Sequence, residues 1–292
     1  MAFNLQGLEK YVDEQRLPLI KKSVLGGKTI GMINLQTGVK GSAAINLLNV
    51  DPAIQAGGCG FTAQGDTTLS QRVINSKILK VNLEWCDKDL ASTWASHTIK
   101  IGAGKETMPF EEYFTSAIVE GVNEKMETMV WQGDSENDNE CDGILKVLAD
   151  AEGVVTATGT GAYAAIKATY SKIPVAVLPK ATIFVGADTF RSFMLEMVEK
   201  NYYHYAANGA ELQEFVLPGT NVKVVAVNGL NGTNKVVAAA ADNLFYGCDM
   251  LDDAESFDLF YSKDNRTWRC VVTWNAGVQV ANPNEVVVGT IA

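Results

Sequence analysis

The chain has 292 residues, of which 47% are hydrophobic and 20% charged, with 26 glycines and 7 prolines. That is ordinary globular usage and enough chain for roughly two domains, at about 150 residues each, so it argues against disordered, collagen-like and proline-rich classes. The formal net charge of −10 opposes long-range attraction of the whole molecule to nucleic-acid phosphate or to an anionic membrane.

No stretch reaches the roughly 20 apolar residues that cross a bilayer, and the opening MAFNLQGLEKYVDEQR has no basic segment followed by an apolar one. Secretion is not expected. Cys59, Cys86, Cys141, Cys248 and Cys270 are odd in number and include no CxxC pair, which fits reduced thiols in a cytosolic setting better than a zinc ribbon.

In chain order, Phe3–Arg16 carries Leu5, Leu8, Tyr11 and Val12 at helical spacing and stops before Pro18, which predicts a short terminal helix. From Ile20 to Pro52 short apolar groups are broken by Gly26, Gly27, Gly31, Gly38 and Gly41. This reads as an arm stabilised by whatever it touches. A stretch rich in Gly, Thr and Ser then leads into Leu79, Val81, Leu83 and Trp85, which alternate with Lys80, Asn82 and Glu84. The period of two predicts a strand with one apolar face. It belongs either to a projecting hairpin on a neighbouring chain or to an ordinary antiparallel sheet within one domain.

The strongest local signal is Pro109–Gln132. Phe110, Tyr113, Phe114, Ala117, Ile118, Val122, Met126, Met129 and Val130 recur at i, i+3, i+4 and i+7. Thr107 suits the N-cap, Pro109 the first turn, Glu111 and Glu112 the positive end of the dipole, and Gly133 the stop. A helix over these 24 residues is about 36 Å long, enough to serve as a spine. The following Asp134, Glu136, Asp138, Glu140 and Asp142 read as a solvated loop. Mixed helical and strand-like pieces follow between Ile144 and Ala240. In the last fifty residues Phe257, Leu259 and Tyr261 alternate, as do Trp268, Cys270, Val272 and Trp274 across the SKDNRT turn, which predicts strands.

Each chemical constellation meets an objection. His97 and His204 are the only imidazoles, and neither lies in HExxH or beside GxSxG. Gly159, Gly161 and Ala165 reproduce GxGxxA after VVTAT, but no acidic strand end follows about 20 positions on. Gly27, Lys28 and Thr29 end like a phosphate loop, yet Lys22 stands where the first glycine belongs. Asp138, Glu140, Asp142 and Gly143 approximate a calcium loop whose closing glutamate is replaced by Ala149. Trp131, Trp268 and Trp274 sit on apolar faces and read as core or interface anchors, not base-stacking platforms. No catalytic, cofactor-binding or metal-ligating residue is assigned, no cofactor is expected, and the chain reads as a non-enzyme.

The order of segments carries more information: a loose arm, a projecting β hairpin, a spine helix, a mixed middle and a β-rich return. With PFEEYFTSAIVEGVNEKMETMVWQGD and DGILKVL, PKATIFVGADTFRSFMLEM, LPGTNVKVVAVNGL, DNLFYGCDM and WNAGVQVANPNEVVVG, this resembles the major capsid protein of tailed bacteriophages, a fold shared with encapsulins. These phrases span residues 109–289, while the first hundred residues match mainly in order and texture. The resemblance implies an α+β fold with an N-terminal arm at 1–52, an extended loop region at 53–105 and a peripheral domain at 106–181 built on the spine helix 109–132. An axial domain at 182–243 and a β-rich return to the peripheral domain at 244–292 complete it.

It further implies a structural subunit that assembles through pentamers and hexamers into an icosahedral shell around phage double-stranded DNA. The location is then the virion capsid, assembled in the host bacterial cytoplasm. Scaffold, portal and decoration proteins are the further partners it admits, with non-specific proximity to DNA and no membrane. With only 108 residues before the spine helix, a separate scaffold, or none, is expected. The alternatives are an encapsulin-like nanocompartment shell and, from another class, a nucleotide-binding enzyme built around Gly159 and Gly161.

Overall fold

A computed structural model describes residues 19, 26–59, 61, 63–86, 110–137, 139–200, 214–249, 256–265 and 267–292. The terminal helix expected over Phe3–Arg16, the cap at Thr107, Asp138 and both histidines lie outside the described residues.

The spine forms as the periodicity predicts: α1 runs Phe110–Gln132. Its buried positions Ile118, Val119, Val122, Met126, Met129 and Val130 make one continuous stripe, with Trp131 fully buried at its end. That stripe is covered by a five-stranded sheet made of β1 (Asn34–Thr37), β4 (Lys77–Cys86), β10 (Leu244–Cys248), β11 (Ser256–Ser262) and β12 (Thr267–Val280). β12 is the sheet's longest strand, pairing antiparallel with β4, β10 and β11, while β1 runs parallel to β10. Its alternating Trp268, Cys270, Val272 and Trp274 all point into the core, as a strand with one covered face requires.

Leu79–Trp85 is therefore a strand, and its apolar face is covered within the same chain: Trp85 meets Phe114 of α1 edge to face at 4.9 Å. Of the two readings the sequence left open for this strand, the ordinary antiparallel sheet holds. The projecting hairpin lies earlier, where β2 (Ser42–Pro52) and β3 (Gly65–Asn75) form a separate two-stranded sheet. It spans both sides of residue 52, where an arm was expected to give way to a loop.

The second body is a six-stranded sheet in the order β5-β13-β9-β6-β8-β7. Its strands are β5 (Val155–Gly159), β6 (Ala181–Gly186), β7 (Glu214–Val216), β8 (Lys223–Val227), β9 (Lys235–Ala240) and β13 (Val287–Ile291). Helices α3 (Ala162–Ser171) and α4 (Ala187–Glu199) contact it, and a short α2 (Ile144–Asp150) contacts α1 and β12. Every residue of β6 is buried, which explains a continuous apolar run where one-sided burial would give alternation. This sheet reaches beyond residues 182–243 at both ends. β13 pairs parallel with β5 and antiparallel with β9, so the final strand joins the second body while β10–β12 stay in the first. Strand partners are long-range choices that sequence adjacency does not announce.

The two bodies meet at the C-terminal end of α1. Trp131 packs on Phe184 of β6 with ring centroids 5.3 Å apart, and the Gln132 side-chain amide donates to the Gly229 carbonyl at 2.7 Å. A Cβ on Gly229 would collide with the Glu127 carbonyl oxygen and the Trp131 ring. No described helix is long and apolar enough to cross a membrane.

Gly229→Ala should therefore lower unfolding stability by about 1–3 kcal/mol, the cost of forcing extra volume into a packed site. Urea unfolding followed by tryptophan fluorescence measures it. A change within about 0.5 kcal/mol, the usual range for an unconstrained surface site, would show that helix and loop separate freely.

Candidate assembly surface

The hairpin is firmly rooted and exposed beyond its root. Eleven residue pairs run from Ser42↔Asn75 to Pro52↔Gly65, a reach of about 37 Å at roughly 3.4 Å per residue. At the root, Ile45 and Ile74 are buried with Val39 and Ala281. Arg72 donates to the Val280 carbonyl at 3.0 Å, and the Gln279 amide donates to the Val73 carbonyl at 2.7 Å. The strand end also passes very close to the first sheet, where a Cβ on Gly277 would collide with the Asn75 carbonyl oxygen.

Beyond the root, Leu48 is 63% and Leu69 79% exposed although they pair across the strands, and Val50, Ile54 and Phe61 are also exposed. Two strands with no covering layer are marginal in water, and contiguous exposed apolar surface of this kind marks an interaction site. Residues 42–71 carry Asp51 and Asp66 and no basic side chain.

The segment before β1 is fixed on the spine by a buried polar cluster. The Thr29 backbone N–H donates to both Glu127 carboxylate oxygens at 3.1 and 3.3 Å, and the Thr29 hydroxyl also donates to Glu127. The Trp131 indole N–H donates to the Thr29 hydroxyl oxygen at 2.7 Å. Burial pushes the Glu127 carboxyl above its ordinary value, and the hydroxyl and backbone hydrogen bonding from Thr29 and the Lys28 charge oppose that shift. Ile30 and Ile33 bury in the same core. Thr29 thus belongs to a packed turn anchored by a carboxylate, with its amide already used.

The Gly159–Gly161 turn has the backbone form of a strand-to-helix connection but not the chemistry of an anion site. A Cβ on Gly159 would strike Ala165, so glycine is required for close packing of α3, and Gly161 has φ +89°. The Ala162 and Tyr163 amides at the helix N-terminus, where a phosphate would bind, donate to the Glu196 carboxylate at 2.8 and 3.1 Å. A carboxylate of α4 fills the anion position.

The acidic loop is organised around Lys146, which pairs with Asp134, with Glu136 at 3.3 Å and with Asp142 at 3.8 Å. The Lys146 ammonium holds the Asp134 carboxyl below the usual carboxylate range. Glu140 accepts the Asp134 amide at 3.1 Å, and Asp142 also accepts the Ser135 amide at 3.0 Å. Among the described residues no group of three or more His, Cys, Asp or Glu side chains converges as a metal site. Burial raises the thiols of Cys141 and Cys270 to about 12, which removes their thiolate reactivity. Trp131, Trp268 and Trp274 are core residues, so none presents a ring for stacking.

No protein-family model and no curated protein matches this sequence. Solved structures do. The chain superposes along its whole length on a subunit of the satellite phage P4 procapsid with its size determination protein, at TM-score 0.63 and 12% identity, covering 92% of that chain. This chain has the tailed-phage capsid fold. A virus-like particle from Pyrococcus furiosus matches at TM-score 0.55 and 11% identity over 96% of this chain and 99% of that one. Gordonia phage Cozz matches at 0.60 and 12% over 90% and 86%. At such identities the likeness is one of architecture, and the side-chain chemistry has to be read from this chain itself.

Sequence reasoning missed the position of the hairpin and the roles of Glu127 and Glu196. Glu127 had a visible signal, a carboxylate inside the apolar stripe between Met126 and Met129. Glu196 had none, because it lies 35 positions from Gly161 in sequence.

Replacing Glu196 with Ala removes the cap of α3 and should cost about 0.5–2 kcal/mol in urea unfolding, while the parent chain, with Glu196 in place, should show no affinity for NAD or ATP in calorimetry. Micromolar binding of either nucleotide would restore the enzyme reading of the Gly159 turn.

Proposed function

We propose that this chain is a major capsid protein whose copies join as pentamers and hexamers and close into an icosahedral shell around double-stranded DNA. The observation that carries the reading is the β2–β3 hairpin, an exposed apolar ribbon on a rigid root within a fold shared with phage shells. Such a ribbon gains cover when it lies on a second copy. Because each copy would both give and receive a hairpin through different surfaces, the contact is heterologous and ends only when a ring closes. Interfaces that permanent assemblies need, about 2,000 Å² and more, are compatible with a ribbon of this length plus the arm. In this reading the six-stranded body, including β5 and β13, is the axial domain, and the spine with the five-stranded sheet is the peripheral domain. The role is structural, without turnover, and the location is the virion capsid assembled in the host cytoplasm. Scaffold, portal and decoration proteins are candidate partners.

The encapsulin-like reading stands second, supported by the coverage of the Pyrococcus furiosus particle. The contents of purified particles separate the two: double-stranded DNA supports the phage capsid, and enclosed protein without DNA supports the nanocompartment.

Leu48→Asp combined with Leu69→Asp places two charges where the apolar ribbon needs cover. The variant should unfold with the same free energy as the parent subunit within about 0.5 kcal/mol, as expected for exposed positions, yet form no closed particles in negative-stain microscopy and sediment as small species. Normal particles from this variant would remove the hairpin from the assembly contact.

A further inference from the structure

The loop between β8 and β9 crosses the end of β6, where α4 begins, and carries two pairs, Asn228–Gly229 and Asn231–Gly232. Asparagine followed by glycine is the pairing most open to attack of the backbone nitrogen on the side-chain amide, because glycine turns freely and has no side chain to crowd the approach. At the first pair packing stands in the way, since Gly229 is buried against the Glu127 carbonyl oxygen and the Trp131 ring. The second pair is exposed, and a Cβ on Gly232 would meet nothing within 4 Å among the described residues. Hydrogen bonds hold it instead. The Asn231 side-chain carbonyl accepts the Ala187 N–H, the first amide of α4, at 2.7 Å. The Gly232 N–H donates to one Asp188 carboxylate oxygen at 2.8 Å, and the other oxygen takes the Thr189 amide at 2.7 Å. The Asn231 backbone is extended, with ψ 136°, so the Gly232 nitrogen lies well to one side of the side-chain carbon. Closing a ring between them needs rotation about the Cα–C bond until that nitrogen eclipses Cβ. Such a rotation breaks the bond to Asp188.

We infer that Asn231–Gly232 is a latent self-modification site, kept closed by Asp188 and the Ala187 amide, which converts to aspartate and isoaspartate only when this loop leaves the N-terminus of α4. The chemistry needs water and hydroxide alone. Hydroxide takes the Gly232 amide proton, the nitrogen bonds to Asn231 Cγ, and the Cγ–Nδ2 bond breaks as the side-chain nitrogen leaves as ammonia. Water then opens the five-membered imide at either carbonyl, giving an ordinary aspartate or an isoaspartate whose backbone runs through Cβ. Asp188 is near enough to the Gly232 N–H to act as a base, but the bond it accepts exists only with the nitrogen turned away from Cγ. It therefore holds the unreactive form. Isoaspartate would add a backbone atom to a loop fitted tightly to the spine, where the Gly229 and Asn231 carbonyls accept from the Gln132 amide at 2.7 and 3.3 Å. A loop modified while open would not reseat, so the change records local opening.

This inference concerns the subunit alone and does not need the shell reading. Incubation of the full-length chain at mildly alkaline pH, folded and in guanidinium, tests it by peptide mapping with mass spectrometry that separates asparagine, aspartate and isoaspartate at each position. Asn231 should stay an amide in the folded parent while the same residue converts in the unfolded chain. Asp188→Ala should speed conversion at Asn231 in the folded protein by roughly tenfold to hundredfold, the population factor for losing one charge-assisted hydrogen bond. Asn228 should be unchanged in that variant. Conversion of Asn231 in the folded parent at the unfolded rate overturns the inference, and this comparison stands even if the variant does not fold. An Asp188→Ala chain that converts no faster than the parent overturns it too, and a slower one makes Asp188 the base instead of the clamp. Equal acceleration at Asn228 and Asn231 overturns it as well, because the loss is then one of the whole fold.

Discussion

One constraint organises the molecule: the apolar stripe of α1 has to be covered along its whole length, and no single sheet does it. The five-stranded sheet takes the stripe from Phe114 to Met129, and the loop at Gly229 with Phe184 takes its end at Trp131. Fully burying one such side chain contributes about 1.5–3 kcal/mol, so the residues of this stripe together outweigh any polar contact in the fold. Two bodies with separate sheets are joined because they pack on the same helix. Everything else hangs from that unit, including the segment around Thr29 and the hairpin rooted at Ile45 and Ile74.

The spine was legible in the sequence because a 3.6-residue period is a local property that survives whatever covers it. β4 and β12 were legible for the same reason with a period of two. The hairpin was not, because alternation exists only where one face is buried, and β2 places Leu47 and Leu48 side by side with most of the strand exposed. Its apolar residues answer to a layer outside the chain. Nor could the partition of the last fifty residues be read, since β12 and β13 are equally apolar and only their hydrogen-bond partners assign them to different sheets.

The buried carboxylates show a second limit of sequence reasoning. The GxGxxA pattern describes a glycine-permitted close approach between strand and helix, and the approach is real at Gly159 and Ala165. What would make it a nucleotide site is an empty helix N-terminus, and Glu196 occupies it. The motif specifies backbone geometry, while the chemistry depends on a side chain from another helix. Glu127 is the converse case: no motif surrounds it, yet a carboxylate within an apolar helix face has to find donors, and it finds them in Thr29 across 98 positions of sequence.

Charge and apolar surface set opposite demands on such a subunit. A net charge of −10 makes like copies repel, but at physiological salt that repulsion decays over about 8 Å, whereas burial of the hairpin's leucines acts only on contact. Repulsion therefore governs approach and apolar burial governs the final fit. Along residues 42–71 these demands are separated in space, since the charged positions are limited to Asp51 and Asp66 near the strand ends and the Leu48–Leu69 pair stands clear of both. A ribbon so divided gains little from a glancing encounter and much from full registry on a complementary surface. In the proposed shell, weak contacts that fail individually and hold collectively are the ones that let misplaced copies leave before a ring closes.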